Sequence, residues 1–266
     1  MKRLFFFSAI ILLLGCRDNA EEKVTPPQPE LLQQPYGTAY TLTDSQKFIY
    51  DHTALPEITV EMNAAEWNKF LNYYDQNPNN EEYVSGKFTF LKNGTTEILD
   101  NIGFRLKGNT SRRRPEGNSG EIHNSTNPDW HHASFTVSFK KFNKTQLFHQ
   151  SEKLVLKWFK DDAMYAREVF SYDLFEKLGV WTAPQSSYCR LTIKITGDAK
   201  AAYFGVYQMI EPVDDAFLAN RSSFFTTTGN LWKANWGASL KDPSINNMGI
   251  EDVTLTYTNT PIYDYK

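Results

Sequence analysis

Lys140, Glu168 and Glu211 are residues of this chain whose types and order could do phosphate chemistry. Lys140 ends a strand pattern over residues 134–141, Glu168 lies on a helix pattern, and Glu211-Pro212-Val213-Asp214 closes two further strand patterns. Holding a nucleotide triphosphate takes a strand lysine for the phosphates, a helix carboxylate to hold that lysine, and a hinge whose backbone meets the base. The expectation is a nucleotide-binding lobe in which Lys140 faces Glu168 and backbone groups near residues 209–211 meet an adenine edge. A second candidate is the run Lys107-Gly108-Asn109-Thr110-Ser111-Arg112 with Arg113 and Arg114, where small donor-rich residues at a strand end could wrap a phosphate.

Each candidate has a plainer reading. Lys140 could be a solvated strand lysine, since Phe135, Val137 and Phe139 alternate with Ser134, Thr136, Ser138 and Lys140. Glu168 could pair with Arg167, Arg190 or Lys157 as a structural ion pair. The arginine run could be a flexible basic loop, Arg105 a structural residue, and Glu211-Pro212 a turn ahead of a helix capped by Asp214. His131 and His132 are adjacent on a strand pattern and so point to opposite faces, which argues against a metal pair.

The elements that must position these residues follow from periodicity. Residues 58–62 alternate as a strand, and Trp67, Phe70 and Leu71 then recur at helical spacing. Residues 83–91 and 98–106 read as strands joined through Asn93-Gly94, a hairpin signal. Residues 110–128 lack a period and read as a loop. A helix over residues 162–178 is predicted to start at Asp161 and Asp162 and to end at Gly179. Residues 188–195 and 202–210 form two more strands around Gly197-Asp198. The class is α+β, an antiparallel sheet with a packed helix.

The chain opens with Lys2 and Arg3, an apolar run over residues 4–14, and Leu13-Leu14-Gly15-Cys16. The run is too short to cross the ~30 Å of hydrocarbon as a helix, so residues 1–16 read as a lipoprotein signal with Cys16 as the lipidated residue. Residues 17–50 form a polar linker with Pro26, Pro27, Pro29 and Pro35, and residues 51–266 form the folded domain. This predicts a bacterial cell-envelope location, lipid-anchored, with outer-membrane surface exposure favoured by acidic residues near Cys16. Beyond Cys16 only Cys189 remains, which excludes an intramolecular disulfide and a zinc–cysteine site and suits a small buried residue. A net charge of -3 gives no general attraction to nucleic acid.

In wider order the chain resembles the spore-coat-protein-H (CotH) family of atypical secretory kinases. The resemblance is carried by residues 55–71, by Gly103-Phe-Arg105-Leu-Lys107-Gly108-Asn109-Thr110-Ser111, by Leu154-Val-Leu-Lys157 leading to Arg167-Glu168, by residues 204–214, and by Gly229-Asn-Leu-Trp232-Lys233. It implies an atypical protein-kinase-like fold and ATP-dependent phosphorylation of serine or threonine on secreted or surface proteins, with ATP and a divalent metal such as Mg²⁺. It also implies Lys107, Asn109, Ser111, Arg112, Lys140, Glu168 and Glu211 as cofactor-binding residues. The family's catalytic and metal-binding aspartates lie in a Trp-Asp-x-Asp region that is not found between Ala234 and Lys266. The second lobe is therefore expected to be incomplete, with nucleotide bound weakly, little phosphate transferred, and Asp242, Asp252 and Asp264 the acids in question. The alternative is a non-catalytic surface binding or adhesion lipoprotein on the same scaffold, using exposed Trp130, Trp158, Trp181, Trp232 and Trp236.

Overall fold

A computed structural model describes residues 43–109, 111–222, 231–234 and 263–265. Seven strands close into a barrel: β1 (Glu57–Asn63), β2 (Val84–Lys92), β3 (Thr95–Lys107), β4 (Ser134–Ser138), β5 (Lys153–Lys157), β6 (Ser186–Thr196) and β7 (Ala202–Ile210). The order around it is β1-β2-β3-β4-β5-β7-β6. Every pair is antiparallel except β1 with β6, which are parallel and close the ring. The antiparallel sheet expected from sequence is thus a barrel with one parallel seam. Such a seam carries no local turn signal, because residues 57–63 and 190–196 are far apart in sequence. The predicted hairpin is present, with Lys92 opposite Thr95 across Asn93-Gly94, both of positive φ.

Alternation on the strands fills the barrel with aromatic rings. Ile58, Val60, Phe88, Phe90, Phe104, Phe135, Leu154, Leu156, Tyr207 and Met209 are all buried. Phe104 stacks on Phe135 with centroids 4.8 Å apart, and Phe70 stacks on Phe104 at 5.4 Å. Phe70 comes from α2 (Ala64–Gln76), whose Trp67, Phe70 and Leu71 close one end of the barrel as the helical spacing predicts. Burial of each such side chain is worth ~1.5–3 kcal/mol. Cys189 is buried in the same core, and desolvation pushes its thiol well above the ordinary range.

The outer surface departs from the sequence reading in two places. α1 (Asp44–Tyr50) lies where the polar linker was expected to run to residue 50; a Thr43–Gln46 capping box starts it and Gln46, Ile49 and Tyr50 are buried. The central helix, α3 (Arg167–Lys177), begins five residues later than predicted, because Asp162 caps it from a distance by accepting the N–H groups of Met164, Ala166 and Arg167. Its end matches expectation: Gly179 has φ 70°, and the N–H groups of Gly179 and Val180 reach the carbonyls of Glu176 and Phe175. Residues 111–133 are irregular yet tied down. Arg114 donates to Asp75 at 2.8 Å, and the ring nitrogens of His123 meet Glu116 at 2.8 Å and Asp198 at 3.0 Å. α4 (Asp215–Asn220) is capped by Asp214, as predicted, and β8 (Trp232–Ala234) pairs with β9 (Tyr263–Tyr265).

Candidate functional site

The short path from β5 into α3 places a lysine against a glutamate. Lys157 is the last residue of β5, and its ammonium donates to the carboxylate of Glu168 in the first turn of α3. Residues between them fold back over the barrel's outer face. The Phe159 ring stacks on Tyr165 with centroids 4.6 Å apart, and Tyr188 Oη donates to the Tyr165 carbonyl at 2.6 Å. The Asp162 carboxyl is held below its ordinary range, first by the hydrogen bond from the Arg167 backbone. That carboxylate therefore fixes the entry to α3 and, with it, the position of Glu168.

Cross-strand register supplies the rest. Lys107 stands opposite Ser134, Lys157 opposite Gln208, and Gln208 opposite Tyr188. Phe135 opposes Leu156, so Ser134 neighbours Lys157, and the Trp158 N–H donates to Ser134 Oγ at 3.0 Å. Lys107, Ser134, Lys157, Gln208 and Tyr188 thus form one row across the outer face, with Lys107 two strands, or ~10 Å, from Lys157. Lys157 and Gln208 of this row line a cleft of about 250 Å³ together with Ser111, Asp161, Arg167 and Glu168, among others. Ser111 arrives there through the turn at Gly108, whose φ is 121° and whose Cβ, if present, would lie 2.5 Å from Ser111 Oγ. Only glycine permits that turn.

The expected site residues separate accordingly. Ser111 and Glu168 line the cleft, Lys107 stands opposite Ser134 on the neighbouring strand, and Asn109 is exposed beside Gly108. Lys140 does not pair with Glu168: its ammonium is taken by Glu152. β4 and β5 are antiparallel with Ser138 opposite Lys153, so Lys140 emerges at the Lys153 end and Lys157 at the other. At ~3.3 Å per residue the two lysines are more than ~13 Å apart along the strand. Arg112 is engaged within the chain, donating to the carbonyls of Gly108, Pro78 and Asn80 and to Glu81 at 2.9 Å. Cys16, Asp242 and Asp252 lie outside the described residues.

The hinge is also corrected. Glu211 is buried, accepting from Arg221 at 2.8 and 2.9 Å, from Gln46 Nε2 at 3.2 Å and from the Gln185 N–H at 3.0 Å. Met209 and Ile210 lie between β5 and β6 in the barrel wall, and the Glu211 N–H goes to the Gln185 carbonyl. A backbone so committed has no edge to offer adenine. Lys157 is the residue that sequence reasoning underweighted. Its signal was position, as the last residue of an apolar run leading directly into the Glu168 helix.

The family model described as CotH kinase protein matches residues 105–263. No curated protein and no solved structure gives a match.

Proposed function

This chain belongs to the CotH kinase family, and from that membership we propose that the Lys157–Glu168 cleft holds the phosphates of ATP, for transfer to serine or threonine hydroxyls of secreted or surface proteins. The observation that carries the reading is the Lys157–Glu168 ion pair, which lines one cleft with Gln208 and Ser111. A strand lysine held by a helix carboxylate positions phosphate oxygens, and the Gly108 turn brings small polar groups to the same place. A divalent ion, when bound, supplies charge neutralisation to such phosphates. Among the described residues, no three His, Cys, Asp or Glu side chains are grouped to hold one, and Asp162 is engaged by backbone N–H groups. The residues described here therefore fit the nucleotide-holding half of the chemistry.

We place the domain at the bacterial cell envelope, tethered through a lipidated Cys16; the support is the basic start, apolar run and Leu13-Leu14-Gly15-Cys16 order. The adhesion alternative loses support from its tryptophans. Trp130 packs against the core beside Trp67 and Phe204, Trp158 lies flat on His132 at 4.8 Å, and Trp181 is partly buried. The side chains of Trp232 and Trp236 lie outside the described residues.

Equilibrium titration of the full chain with ATP and Mg²⁺ tests the proposal. Binding is expected for the natural sequence and should weaken about 10-fold or more in Lys157→Met and in Glu168→Gln, from loss of charge-assisted contacts and of lysine positioning. No binding by the natural chain, or equal affinity in both variants, would overturn it.

A further inference from the structure

Gln208, which lines the same cleft, carries a buried and unused hydrogen-bonding group. It sits on β7 directly opposite Lys157, is 1% exposed, and lines the cleft. Its Nε2 donates to Ser186 Oγ at 2.9 Å, leaving Oε1 as the remaining acceptor. Oε1 is buried and has no hydrogen-bond partner among the described residues. Trp158 follows Lys157 in the chain and lines the same cleft, and its indole Nε1 is likewise buried without a partner. A buried acceptor left unpaired is costly, so a site that keeps one strongly favours a ligand that satisfies it.

The neighbour of Lys157 decides which ligand group that is. If Lys157 holds phosphate oxygens, the group that a nucleotide carries next to its phosphates is the ribose, whose hydroxyls donate one hydrogen bond and accept others. A hydroxyl can give its proton to Gln208 Oε1 while still accepting from other groups. A purely apolar or acceptor-only group would leave Oε1 unpaired. Resting on the nucleotide reading of this cleft, we infer that Gln208 is a specificity-determining residue that accepts a hydrogen bond from a ribose hydroxyl of the bound nucleotide. The site then favours ribonucleotides over their deoxy counterparts.

The test compares ATP, 2′-deoxy-ATP and 3′-deoxy-ATP binding to the full chain, with Mg²⁺ present. ATP should bind at least about 10-fold more tightly than one of the two analogues, the scale expected when a buried acceptor loses its donor. In Gln208→Leu the ratio should fall to about 1, whereas Gln208→Glu, which keeps an acceptor, should retain it. Melting curves report whether either variant is folded, and the analogue series on the natural chain decides even if one is not. ATP binding with equal affinity for all three nucleotides overturns this inference alone. Failure to bind ATP at all overturns both it and the nucleotide reading beneath it.

Discussion

At Lys157 the question is whether the ion pair with Glu168 serves stability or a ligand. Both side chains are about two-fifths exposed, and a pair in that setting contributes only ~0–1 kcal/mol to folding. We therefore expect Lys157→Met to leave the melting temperature within a few degrees of the natural chain while ATP affinity falls. His123 presents the opposite case. Burial disfavours its charge, but hydrogen bonds to Asp198 and Glu116 outweigh that and raise its pKa. A raised folded value means stability that is fully present below the unfolded imidazole pKa of about 6.5 and is lost as pH rises through the folded value. Thermal melts across that window should show a falling transition temperature, and His123→Gln should flatten the decline; an unchanged slope in the variant would remove His123 from the account. His123 was not singled out from sequence, because Glu116 and Asp198 meet it only through tertiary structure.

At the scale of elements, the helices and most strands were legible because their periodicity and caps are local. Trp67, Phe70 and Leu71, the Asn93-Gly94 hairpin, Gly179 and Asp214 all act within a few residues of themselves. Lys140 was misjudged because its partner depends on strand direction. Both Lys140 and Lys157 follow an apolar strand, and only the antiparallel β4–β5 register sends Lys157 towards α3. Glu211 was read as a hinge because Glu-Pro at a strand end resembles one, whereas its buried partner Arg221 lies beyond the next helix. That pair ties α4 to the barrel, and Gln46 connects α1 to the same carboxylate. Breaking it leaves a buried charge unpaired, so Arg221→Ala should cost ~3–5 kcal/mol in chemical denaturation. A loss below about 1 kcal/mol, the scale of an exposed pair, would contradict this role.

For the whole molecule, the α+β class and the family were readable from ordered short motifs, while barrel closure was not, since the parallel β1–β6 seam joins distant segments. The seven-stranded barrel provides a rigid wall, and the segment from β5 to α3 lays a cleft on its outside. Anchoring is proposed on the sequence alone, and Cys16→Ser should shift the protein from the membrane fraction to the soluble one. Unchanged partitioning with detergent would exclude the lipid tether.

Lys157, rather than Lys140, is the lysine proposed to hold phosphate, and lysine acylation read by mass spectrometry separates the two. The two side chains are nearly equally exposed, at 40% and 42%, so each can be compared with its own nucleotide-free reactivity. Saturating ATP should protect Lys157 several-fold, as occupancy of a charge-assisted contact requires, and leave Lys140 unchanged in its pair with Glu152. Protection of Lys140 with Lys157 still reactive would rule out Lys157 as the phosphate-holding lysine.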